Sequence, residues 1–369
     1  MSFTDTLNTL SWGAERLSLM SKTAADVERA LGKTQRSFED FKALISPAAR
    51  PYIEAMAQQS QALTRQRFGL NQQLFAPLYL SNACANVCTY CGFSMDNHLR
   101  RKVLNTAEID READALAAMG FQHILLVTGE APKVAGVDYL AAALQQLQSR
   151  FAQVSMEVQP LDQPDYERLQ QQGLHGVLVY QETYHRGVYA EHHPVGKKAD
   201  FDYRLATPER LGNAGVHKIG LGVLLGLTDW RTDCLMMAHH LRYLEQRYWR
   251  SKFSVAFPRL RPAEGDYHVA QPIGDAELVQ LICAWRLFSP DLELSLSTRE
   301  RADFRDRLLP LGITTLSAAS KTQPGGYAVD ADAALEQFEI DDARSVGDVV
   351  RAIQHAGYQP VWKDWQPGW

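Results

Sequence analysis

Three cysteines fall within one short stretch, CANVCTYCGFS, at positions 84, 88 and 91. Only two others, Cys234 and Cys283, accompany them in 369 residues. So sparse a thiol content argues against a disulfide framework and for metal or redox chemistry in a reducing compartment. The two distant cysteines sit in apolar, helix-like runs (CLMMAHHL and LVQLICAW), where free cysteine behaves as a small buried hydrophobe. Structural zinc closes a shell of four ligands, commonly as two separated pairs. CxxxCxxC has no second pair, although His98 stands nearby as a fourth ligand. An iron–sulfur cluster is held by thiolates, four for a closed [4Fe–4S] centre, so three leave one iron open to bind something else. The zinc reading makes the stretch structural; the cluster reading makes it a place for chemistry.

Such a loop needs elements to hold it. From residue 74 onward, short apolar runs alternate with amphipathic helical stretches: LFAPLYLSN, HILLVTG, VSMEVQ, GVLVYQE, HKIGLGVLL, KFSVAFP, LELSLST and ITTLSAAS. Between the first two, NTAEIDREADALAAMG reads as a helix with an Asn105/Glu108 capping box, an apolar face of Ile109, Ala113 and Leu116, and a stop at Gly120. Eight such units predict an α/β fold, a (β/α)8 TIM-type barrel, with an open doubly wound sheet as the alternative. Residues 1–72 form an expected N-terminal helical extension, including a helix begun by Thr23 and stopped by Gly32. The barrel is expected over 73–340, and a short C-terminal segment, 341–369, over a helix and a Trp-rich stretch. Trp362 and Trp365 are expected to pack over the barrel as a lid or closure, or else to form an interaction surface.

The polar residues gather at the predicted strand ends, where barrel active sites lie. They are the cysteine loop, Thr128-Gly129-Glu130, Glu157 and Gln159, Tyr180-Gln181-Glu182, Arg259 and Arg261, Thr298-Arg299, and Ser317 with Ser320. Tyr180 and Tyr184 are as readily simple core, and Gly220, Gly222 and Gly226 either admit close approach of the backbone to a ligand or serve tight barrel packing. His192, His193, His239 and His240 show no i, i+4 ligand pair with a carboxylate and receive no metal.

Composition narrows the partners. Formal charge is −5, with 38 basic and 43 acidic residues and no basic block, so no footprint for nucleic acid appears. The N-terminus lacks the apolar run of a secretory signal, and no stretch of roughly 18 apolar residues suggests a membrane span. A cytoplasmic protein acting on a small molecule is the expectation.

CxxxCxxC with Tyr90 before the last cysteine resembles the signature of the radical S-adenosylmethionine (SAM) superfamily. The resemblance implies that Cys84, Cys88 and Cys91 hold a [4Fe–4S] cluster while SAM chelates its fourth iron. Gly129 and Glu130, after Thr128, resemble the superfamily's Gly-Gly-Glu motif for the SAM amine, with threonine replacing the first glycine. Segments such as PLYLSNACANVCTYCGFS, LLVTGE, MEVQP, YQETYH, KIGLGVLLGL, FPRLRP, LSLSTRE and SKTQPGGY resemble the 2-iminoacetate synthase (tyrosine lyase) family of thiamine thiazole synthesis over residues 15–369. That resemblance implies cleavage of the Cα–Cβ bond of L-tyrosine to 2-iminoacetate and p-cresol, a thiazole synthase (ThiG-type) partner and a flavodoxin or ferredoxin electron donor.

For the substrate carboxylate, arginine's planar fork is the natural partner, and Arg299 is the expected one, with Ser317 and Ser320 as hydroxyl partners. The alternative has Arg299 paired outside with Glu300 or Asp303. Glu157 is expected at the SAM ribose and Arg204 at the SAM carboxylate, with Tyr90, Tyr180, Gln181, Glu182 and Tyr184 against SAM or lining the pocket. Another aromatic amino acid as substrate, or an iron–sulfur or zinc protein with a carrier or structural role, remains open at this point.

Overall fold

The computed structural model describes residues 2–264, 267, 269, 271–328 and 336–363. Its strands are β1 (Asn71–Ser81), β2 (His123–Thr128), β3 (Gln153–Glu157), β4 (Gly176–Leu178), β5 (Lys218–Gly222), β6 (Lys252–Ala256), β7 (Glu293–Leu296), β8 (Thr315–Ser317) and β9 (Gln359–Val361). β1 to β8 pair in sequence order, all parallel, and β8 pairs back onto β1, so the sheet closes on itself. The expected eight-stranded barrel is therefore the observed one, and the open sheet is excluded.

The alternation along β1 shows how the barrel is filled. Leu74, Ala76, Leu78 and Leu80 join the main core between strands and helices, whereas Phe75 and Tyr79 join Leu125, Val127 and Phe93 in a separate inner cluster. Side chains on successive strand positions point to opposite faces, so one strand serves both cores. The crossover helices follow their local signals. Asn105 and Glu108 form the capping box of Thr106–Ala118; Ile109, Ala113 and Leu116 are buried, and Gly120 leaves the helix at φ +91°. Glycine supplies that left-handed turn without strain from a Cβ.

Residues 3–68 form five α-helices, among them Ala24–Leu31 with Thr23 and Asp26 as its capping box. They pack on the outside of the barrel against the helices Trp230–Arg247 and Asp275–Phe288, with Phe41 on Trp285 at 4.9 Å between ring centroids. Cys234 and Cys283 are fully buried in those two helices.

Two expectations change. Several strands end earlier than the apolar runs suggest; GVLVYQE is strand only over Gly176–Leu178, after which the chain turns its polar residues toward the mouth. The described part of the C-terminal segment, through residue 363, runs to the other end of the barrel. β9 runs parallel to the first residues of β1, pairing Asn71 with Gln359 and Gln73 with Val361, and Trp362 stands edge-on to Phe121 at 5.7 Å. β1 is long enough that its first turn of ladder lies below β2, and β9 fills that gap at the amino-terminal end of the barrel. Trp365 lies outside the described residues.

Candidate active site

The cysteine loop leaves β1 beyond an irregularity between Tyr79 and Ser81 and returns at Lys102 and Val103, which pair with Asn82 and Ser81. One guanidinium fixes its shape: Arg101 donates to the carbonyls of Asn82 (2.9 Å), Phe93 (2.8 Å) and Ser94 (2.6 Å). The Asn97 amide donates to the carbonyls of Cys91 and Gly92, and the Cys88 N–H donates to Ser94 Oγ at 3.1 Å. Cys88 is buried, and Cys84 and Cys91 are half-buried.

Those thiols are close enough to feel one another's charge. Burial pushes the Cys88 thiol up, Lys198 opposes that, and the nearby Cys91 and Cys84 add to it; burial and Cys84 likewise raise Cys91. Thiols that cannot all ionise together need a cationic centre, and a cluster of irons taking one thiolate each is such a centre. Among the described residues no three or more His, Cys, Asp or Glu side chains form the shell of a single metal ion. The donor set fits a polynuclear cluster better than structural zinc.

Beside the loop lies a buried ion network. Glu130 accepts from Arg204 Nη1 at 2.8 Å and from Asn86 Nδ2 at 2.8 Å. Arg204 Nε donates to the Tyr180 carbonyl at 2.7 Å, and Lys198 Nζ donates to Glu182 at 2.8 Å. Burial would raise the Glu130 carboxyl, but Arg204 and Lys198 outweigh it and hold the group below its ordinary range. Glu182 sits at φ +68°, a left-handed conformation costly for a side chain with a Cβ, and bridges to Val223. Gly129 has a packing reason to be glycine: a Cβ there would lie 2.3 Å from the Ala83 carbonyl oxygen, and its N–H is taken by Ser81.

The network borders a cavity of about 150 Å³, open at the carboxyl ends of the strands. Tyr90, Cys91, Glu157, Tyr180, Glu182, Arg299, Ser317 and Ser320 all line it. Arg299 is half-buried; its Nη1 donates to the Arg259 carbonyl at 3.5 Å, and among the described residues no carboxylate pairs with it. Glu300 pairs with Arg259, and Asp303 with Arg301. The outside pairing is thus excluded; instead the Arg299 guanidinium lies over the Phe338 ring at 3.4 Å. Burial lowers its pKa, and Tyr79, Glu157 and Glu182 act against that. Glu157 is pushed up to about 7 by burial and by the charge of Glu182.

Two models of known families match. The radical SAM superfamily covers residues 78–236, and the biotin and thiamin synthesis associated domain covers 256–359. The 2-iminoacetate synthase of Salmonella typhimurium is 54% identical over 365 residues, spanning 99% of this chain and 97% of that protein, and the Escherichia coli enzyme is 54% identical over the same share. The chain belongs to the 2-iminoacetate synthase family of radical SAM enzymes. Among solved structures, HydG, a maturase of the [FeFe]-hydrogenase, aligns with a TM-score of 0.89 at 29% identity over 95% of this chain and 80% of that one. HydG from Carboxydothermus hydrogenoformans gives 0.86 at 30% over 98% and 83%. A [4Fe–4S] cluster and SAM are the cofactors that membership brings.

Measured against a family member's needs, some expected residues are differently employed. Arg204 is spent on Glu130 and the Tyr180 carbonyl rather than left facing an incoming carboxylate. Ser317 Oγ accepts the Thr298 N–H at 3.1 Å, whereas the buried Ser320 Oγ has no partner. Gln181 does not line the cavity; its side chain is buried, and its Nε2 has no partner. Tyr184 points into the core, bonded to His240 at 2.9 Å and edge-on to Phe3. Arg259 and Arg261 are held by ion pairs with Glu300, Asp275 and Asp341. In Gly220 and Gly222 a Cβ would strike Leu178 and Tyr180 at 2.5 Å, so packing accounts for both.

Sequence reasoning missed Lys198, Asn86, Tyr79, His193 and Gln337. Lys198 borders both the main cavity and a smaller one walled by Asn86, Glu130 and Arg204. His193 Nε2 meets the Tyr90 hydroxyl at 2.7 Å, tying the aromatic of the cysteine loop to the segment after β4. Only the spacing of Asn86 within the cysteine loop offered a signal; Lys198 lies in GKKADF, which looks like any solvated loop.

Proposed function

We propose that the chain is a radical SAM lyase that cleaves L-tyrosine between Cα and Cβ to 2-iminoacetate and p-cresol, with Cys84, Cys88 and Cys91 as the cluster ligands. The observation that carries the residue assignment is the half-buried Arg299 guanidinium, without a carboxylate partner among the described residues, in the same cavity as Cys91. When bound, the cluster supplies the electron that divides SAM into methionine and a 5′-deoxyadenosyl radical able to take a hydrogen atom from the substrate amine.

The chain's own residues bind, orient and exclude water. Arg299 receives the tyrosine carboxylate as a forked donor, and Ser320 offers its free hydroxyl beside it, with Ser317 holding the β7 end in place. Glu130, kept ionised by Arg204 and Asn86, accepts from the SAM ammonium. Glu157 accepts from the ribose hydroxyls. Lys198 and Arg204, fixed by Glu182 and Glu130, give the cluster side of the cavity a charge-balanced, prearranged wall. Tyr79, Tyr180, Phe257 and Phe338 wall the cavity and limit water near the reacting carbon.

2-Iminoacetate hydrolyses readily, so its direct transfer to a thiazole synthase of thiamine synthesis is part of this reading, as are a flavodoxin or ferredoxin donor and a cytoplasmic setting. No helix among the described residues is long and apolar enough to cross a membrane. Anaerobic protein reconstituted with iron and sulfide, then given reductant, SAM and tyrosine, should yield p-cresol and 5′-deoxyadenosine together. A colourless zinc-loaded protein, or 5′-deoxyadenosine formed without p-cresol from tyrosine but with cleavage of another aromatic amino acid, would overturn it.

A further inference from the structure

The segment that crosses from β8 back over the cavity touches the cysteine loop and the substrate arginine with adjacent residues. Gln337 Nε2 lies 3.7 Å from Cys91 Sγ, and its Oε1 accepts from the Tyr79 hydroxyl at 2.7 Å. A ligating thiolate can only accept, so it takes the Nε2 end of the amide, and the phenol, able to donate or accept, donates to Oε1. The backbone of Gln337 is held as firmly: its carbonyl accepts the Gly92 N–H at 3.0 Å, and its N–H donates to Thr322 at 3.0 Å. Gly92 must lack a side chain here, since a Cβ would sit 2.6 Å from that carbonyl oxygen. The next residue, Phe338, is the ring under Arg299, and its own carbonyl accepts from Thr322 Oγ1 at 3.0 Å.

We propose that Gln337 is a positioning residue that sets the reduction potential of the cluster through its N–H to the Cys91 sulfur, and that Phe338 makes this bond responsive to tyrosine on Arg299. The idea rests on Cys91 being a cluster ligand. A hydrogen bond to a ligating sulfur withdraws electron density and favours the reduced state, which carries one more negative charge, so it raises the potential. A carboxylate docking on Arg299 draws the guanidinium toward it and shifts the Phe338 ring stacked beneath; Gln337, one peptide away and pinned to Gly92, feels that shift at the Cys91 contact. Electron entry is thereby favoured when the amino acid is present to use the radical.

The test compares reconstituted wild-type protein with Gln337→Leu, Tyr79→Phe and Phe338→Leu, reading iron content, the midpoint potential of the cluster and its EPR spectrum when reduced, each with and without tyrosine. Gln337→Leu should keep its iron and move to lower potential with altered g-values. Tyr79→Phe should move the same way by less, since the donor remains but loses its anchor. Phe338→Leu should match the wild type without tyrosine yet lose the tyrosine-induced change. An unchanged potential and spectrum in Gln337→Leu overturns the proposal. Failure of the wild type to take up iron instead overturns the assignment of Cys91; should Gln337→Leu misfold, the Tyr79→Phe shift decides alone.

Discussion

The two sides of the barrel mouth are built on opposite principles. On the side of β2 to β5, Glu130, Arg204, Glu182 and Lys198 satisfy one another in a closed network before any ligand arrives. On the side of β7 and β8, Arg299 has a ring beneath it but no counter-ion, and Ser320 has no partner. The first side is already in the arrangement it will use, so it gains little by reorganising when SAM enters. The second holds half-buried or buried polar groups whose cost is relieved only by a ligand carrying the complementary carboxylate and amine, which is a basis for discrimination. On the proposed function, the prepaired charges would fix the cofactor and the charge without a counter-ion would select the substrate.

The comparison breaks most visibly where a pair is opened. Arg204→Met removes one member of a buried network and strands Glu130, which should cost about 3–5 kcal/mol of stability. A large drop in thermal midpoint of the anaerobic apoprotein would register this, and Glu130→Gln added to Arg204→Met should restore part of it without restoring SAM affinity. If the single variant melts like the wild type, the network is not a closed unit. Arg299→Lys should behave oppositely. It opens no pair, so the midpoint stays near the wild-type value and the iron content is kept. Tyrosine cleavage should nevertheless fall by at least about 100-fold in kcat/KM, because an ammonium cannot reproduce the forked contact. Normal turnover in that variant would remove Arg299 from the substrate site.

The sequence disclosed the two sides unequally for the same reason. The eight strands were legible because parallel strands buried on both faces must be short apolar runs, and their polar ends marked the mouth. That Cys91 and Arg299 would stand at the mouth was legible because each follows a predicted strand end, where the barrel opens. Pairing was not legible. Nothing in GKKADF separates Lys198, which reaches Glu182, from the neighbouring exposed Lys197, and nothing in the spacing of Arg204 shows that Glu130, 74 positions earlier, already occupies it. Nor does the Trp362 stretch reveal that β1 has a free flank below β2; that follows from strand stagger, a property of the closed barrel and of no local segment.

Two adjacent serines sharpen the contrast at lower cost. Ser317→Ala leaves the Thr298 N–H unpaired and should lower stability by about 1–3 kcal/mol. Ser320→Ala deletes a hydroxyl that bonds nothing in the free protein, so stability should hold while KM for tyrosine rises by up to about tenfold. Reversal of the two effects in melting and steady-state assays would mean that Ser317, not Ser320, meets the substrate.

The smallest effect tests the boundary between the sides, where Glu157 stands. Its carboxyl is raised from 4.5 to about 7 by burial and by Glu182. In the unfolded chain the group ionises at its ordinary pKa, so between those two values the folded apoprotein holds the extra proton, and its stability falls as pH rises through that window. Two ribose hydroxyls donate more strongly to the ionised carboxylate than to the neutral acid, so SAM binding on this reading favours loss of that proton below about pH 7. The affinity of SAM for the reconstituted protein should therefore be about tenfold weaker at pH 6 than at pH 8. Calorimetry in buffers of different ionisation enthalpy should show one proton released at the lower pH, and Glu157→Gln should bind with a flat profile. A wild-type affinity indifferent to pH across this range would place the ribose elsewhere, and leave Glu157 as a neutral wall of the substrate side.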